Sequence, residues 1–519
     1  MLREIKRLSG GVAAAALCAC SFPAGQFACL AFVALVPLIL VAEEGAVKGS
    51  FLRGYTAGSL FFVTALFWIG HVTVIGLLLL SAYLALYWGF FSAGVAWSSS
   101  WAWGVRLVFL PALWTALEYI RAHLFTGFGW AALAHTQSAN IPLIQMANVT
   151  GVYGVSWAVL VVNVVIARWV HVTWRREKVP RLLAGVTLVL VLMVVAGMGW
   201  KFVLGGDKKM AGRESFRVAL IQPNIALADY ANPLLKVAIV EKHLALSREA
   251  MRQGPQMIVW PESAFPAFIW EYPALFEKVC DFARENHVQL LAGAVTRNGG
   301  KYFNSALLIN ENGVLSSTYS KQHLVLLGEY IPLRKAFPLL ERLVPIDDFT
   351  PGTGRGIMGL MPAAAGEPVF FAPLICFEDT LPDLARLAVK DGAGFLVNLT
   401  NDAWFKASRQ SRMHLNNAVF RAVENGVPLV RATNTGMTCA ISPAGVVSGC
   451  AVDAAGRSVM AEGVAVVDIV PESHRRTFYT QHGDVFAGLC FLIVLGLSVF
   501  FKCRYAVPCI RQNQETREV

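Results

Sequence analysis

The stretch LICFEDT, residues 374–380, sets an acidic pair behind a cysteine that closes an apolar run. A thiol there is either a catalytic nucleophile or a small core residue, since free cysteine is among the most buried residue types. Working outward, FFAPLIC (370–376) is one of six short apolar runs. The others are FRVALIQ (216–222), QMIVW (256–260), QLLAGAV (289–295), SALLIN (305–310) and GFLVNLT (394–400), all bounded by polar stretches. Runs of this length read as buried strands. KHLALSREAMRQ (242–253) and ALFEKVCDFAREN (274–286), lying between them, have helical periodicity. Strands alternating with helices imply an α/β sandwich.

The rest of the chain has a different character. Of 519 residues, 56% are hydrophobic and only 15% charged, against about 25% charged in a soluble domain. With a mean hydropathy of +0.53, this is the composition of a membrane protein. A helical span needs roughly 20 apolar residues, which places spans near 9–23, 25–42, 55–71, 74–97, 106–122, 150–169, 182–204 and 484–501. The first two, joined at Pro23 and Gly25, read as a helical hairpin. The basic start MLREIKR and the small residues Ala14 to Ala16 and Ala19 also suit a signal peptide. Because apolar runs continue well beyond it, a retained first span is preferred.

The net charge of +10 raises nucleic acid as a partner, but there is no basic groove interleaved with aromatics and no zinc spacing. The basic residues instead cluster beside alternate span ends: Arg3, Lys6 and Arg7; Lys48 and Arg53; Arg106; Arg168, Arg175, Arg176, Lys178 and Arg181; and Lys502. Opposite short loops hold little beyond Arg121. By the positive-inside rule this predicts a bundle over 1–204, an extracytoplasmic domain over 205–482, and a last span with a cytoplasmic tail over 483–519. The ten cysteines show no CxxC and no metal-ligand spacing, so no cofactor or metal is expected; a disulfide framework is not indicated, although a single bridge stays open. Glu118 and Arg121, three apart at the end of a span, can pair, either as a functional intramembrane charge or as a snorkelling structural pair.

Three ionisable residues follow apolar strands at their C-terminal ends, where α/β folds place chemistry: Glu262 in IVWPESAFP, Lys321 in STYSKQHLVLLGEYIP and Cys376 in PLICFEDT. A carboxylate can take the proton of a thiol, and an ammonium can stabilise the oxyanion formed when a thiolate attacks a carbonyl. Taken singly, Glu262 can also cap a helix, Lys321 can lie on a solvated face and Cys376 can be core.

The surrounding words WPES (260–263), YSKQHLVLLGEYIP (319–332), ICFED (375–379) and NLTNDAWF (398–405) resemble, in this order, the nitrilase superfamily with its Glu-Lys-Cys triad. Together with PALWTALEYIR (111–121), GFGWAALAHTQ (127–137) and GVYGVSW (151–157), the chain is similar to the bacterial apolipoprotein N-acyltransferases over nearly its whole length. The resemblance implies a polytopic α-helical membrane bundle of about eight spans carrying an αββα nitrilase-like sandwich. It implies Cys376 as nucleophile, Glu262 as general base and Lys321 as transition-state stabiliser. Glu329 and Glu378 would support the triad, or be plain ion-pair partners, and the backbone N–H of Phe377 would help hold the oxyanion. Trp404 would be an acyl contact or a core tryptophan. Tyr230, in QPNIALADY, stands where the family has a Lys-Trp pair, and is a substrate-contact candidate. His414, Arg421, Glu424, Arg431 and Asn434 fit as scaffold. LVLLGE (324–329) in place of LVPFGE, and Met413 in place of glutamine, depart from the pattern around acyl-chain or lid contacts.

The implied reaction moves an acyl chain from a membrane phospholipid, through a cysteine thioester, to the N-terminal diacylglyceryl-cysteine of an apolipoprotein. The setting would be the bacterial inner membrane, with the catalytic domain on the periplasmic side. The rivals are a membrane-tethered amidase acting on a small carbon–nitrogen substrate, and a lipid-binding or transport protein with a dead nitrilase-like domain.

Overall fold

The computed structural model describes residues 2–23, 27–189, 215–326, 328–330, 348–354, 356–360, 368–472 and 476–515. Its first part is helical. Among the described residues, three helices are long and apolar enough to cross a membrane: Val74–Trp97, Ala147–Arg175 and, near the C-terminal end, Val485–Arg504, the apolar part of Val485–Glu515. Leu2–Cys20, Val47–Ala65 and Trp103–His123 accompany them. The expected span 182–204 is described only as helix at 181–189, and the expected boundary at residues 204 and 205 lies outside the described residues.

Two expected spans are interrupted. The run 25–42 forms a 3₁₀ turn, Ala28–Phe32, and a separate short helix, Val36–Glu43. Breaking a buried helix frees backbone groups that an apolar medium cannot satisfy, and here Asn163 takes them up. Its Oδ1 accepts from Leu35 N–H at 2.9 Å and its Nδ2 donates to Ala31 O at 2.8 Å. The run 55–71 likewise ends as helix at Ala65 and continues as the 3₁₀ turn Phe67–His71.

The described residues of the second part form two six-stranded sheets. One has the order β12-β1-β2-β3-β4-β5, with β1 Phe216–Gln222, β2 Met257–Val259, β3 Gln289–Asn298, β4 Lys301–Ile309, β5 Leu315–Ser320 and β12 Gly463–Ile469. The other runs β11-β10-β9-β8-β7-β6, with β6 Met358–Leu360, β7 Val369–Ile375, β8 Phe395–Thr400, β9 Leu429–Thr433, β10 Cys439–Ile441 and β11 Val447–Ser448. In each sheet three central strands are parallel, β1-β2-β3 and β7-β8-β9. These are buried on both faces and so read as continuous apolar runs. Val218, Leu220, Val259, Leu291, Phe371, Phe395, Val397 and Val430 fill the space between the sheets.

Helices Lys236–Met251 and Pro273–Asn286 cover the first sheet. Pro382–Lys390 and Gln410–Asn425 cover the second, completing four αββα layers. Gln410–Asn425 is buried along nearly its whole circumference, because its far side packs against the membrane part through Ala134, Ile144, Val152 and Tyr153. Polar contacts fix the seam: Val152 N–H donates to Glu424 Oε1 at 2.9 Å, and the Ser138 hydroxyl to Asn416 Oδ1 at 2.8 Å.

Candidate active site

Three strand ends deliver the candidate residues. After β2 the chain runs through the buried Trp260, whose indole donates to Ser247 at 2.9 Å, and turns at Ser263 with φ +54°. This turn lies so close to β3 that a Cβ at Gly293 would come within 2.7 Å of Glu262 Cα. After β5, Lys321 N–H donates to Asn304 O at 2.7 Å. After β7, Cys376 adopts φ +52° at the start of the 3₁₀ turn Cys376–Thr380. A non-glycine residue in that region costs about 1–3 kcal/mol and persists only where neighbours over-determine it. Here Asn398 Nδ2 donates to the carbonyls of Leu374 (3.1 Å) and Cys376 (3.2 Å), and Glu378 Oε2 accepts Ile375 N–H at 2.8 Å.

Lys321, 1% exposed, places Nζ 2.9 Å from Glu329 Oε2 and 3.5 Å from Glu262 Oε1. Asn304 Nδ2 bridges the two carboxylates, donating to Glu262 Oε1 at 2.8 Å and Glu329 Oε1 at 2.9 Å. The second Glu262 oxygen accepts Asn401 N–H at 3.0 Å. Burial pulls the Lys321 ammonium down, but Glu262, Glu329 and Cys376 outweigh it and hold it above the usual lysine range. The Cys376 thiol is pushed well above the ordinary cysteine value, by burial and then by Glu262, with Lys321 pulling the other way. The resting thiol therefore keeps its proton until a base removes it.

Beneath the Cys376 turn lies a second buried charge network. His414 Nδ1 is 3.0 Å from Asp402 Oδ1, while Nε2 is 2.9 Å from Asp379 Oδ1 and 3.3 Å from Cys376 O. Arg431 NH1 reaches Asp379 (2.6 Å) and Asn398 Oδ1 (2.7 Å). Burial and Arg431 depress His414, yet Asp379 and Asp402 prevail and raise it above the usual histidine range. Burial alone would raise Asp402; His414 and Arg431 instead hold it well below the carboxylate range.

The structure thus brings Glu262, Lys321, Cys376 and Glu329 together and separates Glu378 from them. Glu378 accepts from the Tyr319 hydroxyl (2.9 Å) and from Gln322 N–H (2.7 Å), tying the cysteine turn to the lysine loop. The Phe377 ring leaves the site, stacking 6.5 Å from Trp130 and 5.9 Å from His323. Trp404 is 54% exposed, which removes the core alternative. The Tyr230 hydroxyl is buried with no hydrogen-bond partner among the described residues and lies within electrostatic reach of Glu262. His414, Arg421, Glu424, Arg431 and Asn434 are all buried. Asn304 and Asp379 were not foreseen. Asn304 lies within β4, just before the apolar run SALLIN, with nothing to mark it, whereas Asp379 was visible as half of the acidic pair.

Residues 217–479 match the carbon–nitrogen hydrolase family, and residues 14–165 match the apolipoprotein N-acyltransferase N-terminal domain. An apolipoprotein N-acyltransferase of Geobacter metallireducens is 36% identical over 91% of each chain. One from Bradyrhizobium diazoefficiens is 30% identical over 91% of this chain and 90% of its own. A solved amidase from Nesterenkonia sp. aligns with 52% of this chain at 21% identity and a TM-score of 0.38, too remote a likeness to speak to substrate. With both halves matched in order and whole-length relatives at such identity, the chain belongs to the apolipoprotein N-acyltransferase family.

Proposed function

We propose that this chain transfers an acyl chain from a phospholipid to the N-terminal diacylglyceryl-cysteine of apolipoproteins, with Cys376 as the covalent carrier. Glu262 takes the thiol proton as Cys376 attacks the ester carbonyl. The developing oxyanion is met by the Lys321 ammonium and the Phe377 backbone N–H; one such donor is worth about 10²–10³ in rate. Glu262 returns the proton to the departing alkoxide, releasing lysophospholipid. In the second half the acceptor amine attacks the thioester carbonyl and gives up its proton to Glu262; the carbon–sulfur bond breaks, the amide departs, and the expelled Cys376 thiolate takes the proton back from Glu262. Glu329 holds Lys321 charged and aimed, Asn304 keeps both glutamates in register, and Glu378 clamps the two catalytic loops. Trp404 and Tyr230 are the substrate contacts.

The observation that carries this reading is the seating of the nucleophile turn on the apolar bundle. Phe377, next to Cys376, stacks on Trp130, and Phe405 packs 4.8 Å from Trp68. An enzyme for small soluble amides has no need of such a floor, whereas lipid-anchored substrates must be met at the membrane. Exposed Ile75, Leu79, Leu492 and Val499 on the apolar helices suit lipid contact. We place about eight spans in the bacterial inner membrane, with a bundle over 1–204, a periplasmic catalytic domain over 205–482, and a final helix and cytoplasmic tail over 483–519.

The test is mass spectrometry of purified protein exposed to phospholipid without acceptor. Cys376 should gain one acyl chain, with lysophospholipid freed in a burst equal to the enzyme present, and initial rates should give parallel double-reciprocal lines. Intersecting lines with no lysophospholipid until acceptor is added would refute the two-step scheme. Turnover of soluble amides without acylation by lipid would favour the amidase.

A further inference from the structure

Cys439 opens β10 and Cys450 lies just beyond β11. The ladder pairs Ile441 with Val447 and Ala440 with Ser448, and one further step would set Cys439 opposite Gly449. Instead Ala451 N–H donates to Thr438 O at 3.0 Å, so the pairing resumes one residue later on the second strand. The extra residue is Gly449, at φ +56°, which makes a bulge. The bulge brings Cys450 beside Cys439. Both free thiols belong to one apolar cluster, Cys439 within it and Cys450 packed against it.

We propose that Cys439 and Cys450 are joined by a disulfide in the mature protein, stapling the β10–β11 hairpin. The proposal rests on the extracytoplasmic placement of the domain, where disulfides form and persist. Cys439 is buried, and Cys450 is half-buried and therefore the thiol a reagent meets first. The neighbouring Cys439 thiol pulls the Cys450 thiol below the usual cysteine range, against its burial. The Cys450 thiolate attacks one sulfur of a small-molecule or protein disulfide, whose other sulfur leaves as thiolate and takes up a proton. Cys439 then loses its proton, attacks Cys450 Sγ and expels the second thiol. Two thiols lose two protons and two electrons, and the oxidant gains both.

The staple sits one residue from a loop that reaches the active site. Thr438 Oγ1 accepts Thr433 N–H at 3.0 Å, and next in sequence Asn434 Nδ2 donates to Asn401 Oδ1 at 3.0 Å. Asn401 in turn offers its N–H to Glu262. The bridge supports this loop and takes no part in the chemistry.

The experiment uses the full chain. Cells are acid-quenched, free thiols are blocked with N-ethylmaleimide, and the protein is peptide-mapped without reductant. A second sample, purified in detergent and reduced, is treated with oxidised glutathione and mapped in the same way. Linked Cys439 and Cys450 peptides should appear in both. Cys450→Ser should leave Cys439 as a thiol that is blocked only after denaturation. The unfolding midpoint of the unsubstituted protein should fall by about 3 °C in reductant, and that of Cys450→Ser should not move. Failure to link in oxidised glutathione refutes the geometry. Linkage in glutathione but not in cells refutes the native bridge if outside labelling near residue 300 succeeds; if that labelling fails, the periplasmic placement is what has failed, and the native bridge falls with it.

Discussion

At the scale of single residues, the Cys376 thiol holds its proton tightly, so its reactivity belongs to its neighbours. Cys376→Ala and Cys376→Ser are expected to abolish acyl transfer while leaving the unfolding midpoint unchanged, because a hydroxyl titrates far higher still. Glu262→Gln keeps the shape but cannot accept a proton, and should slow thioester formation by at least about 10²-fold; a normal acylation rate in a rapid-quench assay would remove Glu262 from the base role. The His414 network predicts a pH dependence of stability. His414 is raised in the fold, so its contribution is complete below its unfolded value of about 6.5 and is lost as pH rises through the folded value. Asp402 is lowered, so its contribution is complete above about 3.8 and is lost as pH falls through its folded value. The network therefore stabilises most between those two limits. His414→Gln should lose the alkaline decline expected of the unsubstituted protein in thermal unfolding as pH rises above about 6.5. An identical decline in both would place it elsewhere. Residue types together with the family resemblance suggested the members of this site, yet Glu329 and Glu378 were interchangeable as partners of Lys321 until the fold turned one toward the ammonium and the other toward backbone N–H groups.

At the scale of elements, the short apolar runs of the catalytic domain were readable because strands buried on both faces carry no alternation to misread. The matches are close: 216–222 for β1, 289–295 within β3, and 394–400 for β8. Edge strands such as β6, with three residues, and β11, with two, were missed because so short a run has no pattern. Apolar runs in the membrane part misled in the opposite way. Hydropathy cannot tell a continuous helix from one broken between Phe32 and Val36, since the break depends on Asn163 in a helix far along the chain. Asn163→Leu should leave Leu35 N–H and Ala31 O buried and unpaired, a loss of about 2–5 kcal/mol. Thermal unfolding in detergent checks this, and a midpoint unchanged from that of the unsubstituted protein would mean the break is stabilised by other contacts.

At the scale of the whole molecule, the catalytic sandwich is docked on its bundle through a helix, Gln410–Asn425, that is buried on both sides. The basic residues beside alternate spans predict that residue 300 faces the periplasm and residue 175 the cytoplasm. A single engineered cysteine at each position, labelled from outside intact cells, checks this: modification at residue 175 but not at residue 300 would reverse the orientation. By itself the sequence determined that an apolar helical part carries an α/β part, and that Glu262, Lys321 and Cys376 end three strands of it. Those facts depend on composition and local periodicity, which each segment carries within itself. Only the tertiary structure decided which glutamate meets Lys321, where the helix 28–43 breaks, that Phe377 leans on Trp130 and that Cys450 meets Cys439. Each depends on groups distant in sequence meeting at hydrogen-bond or packing distance, and a one-residue bulge or a single turn of backbone changes the partner without changing the pattern.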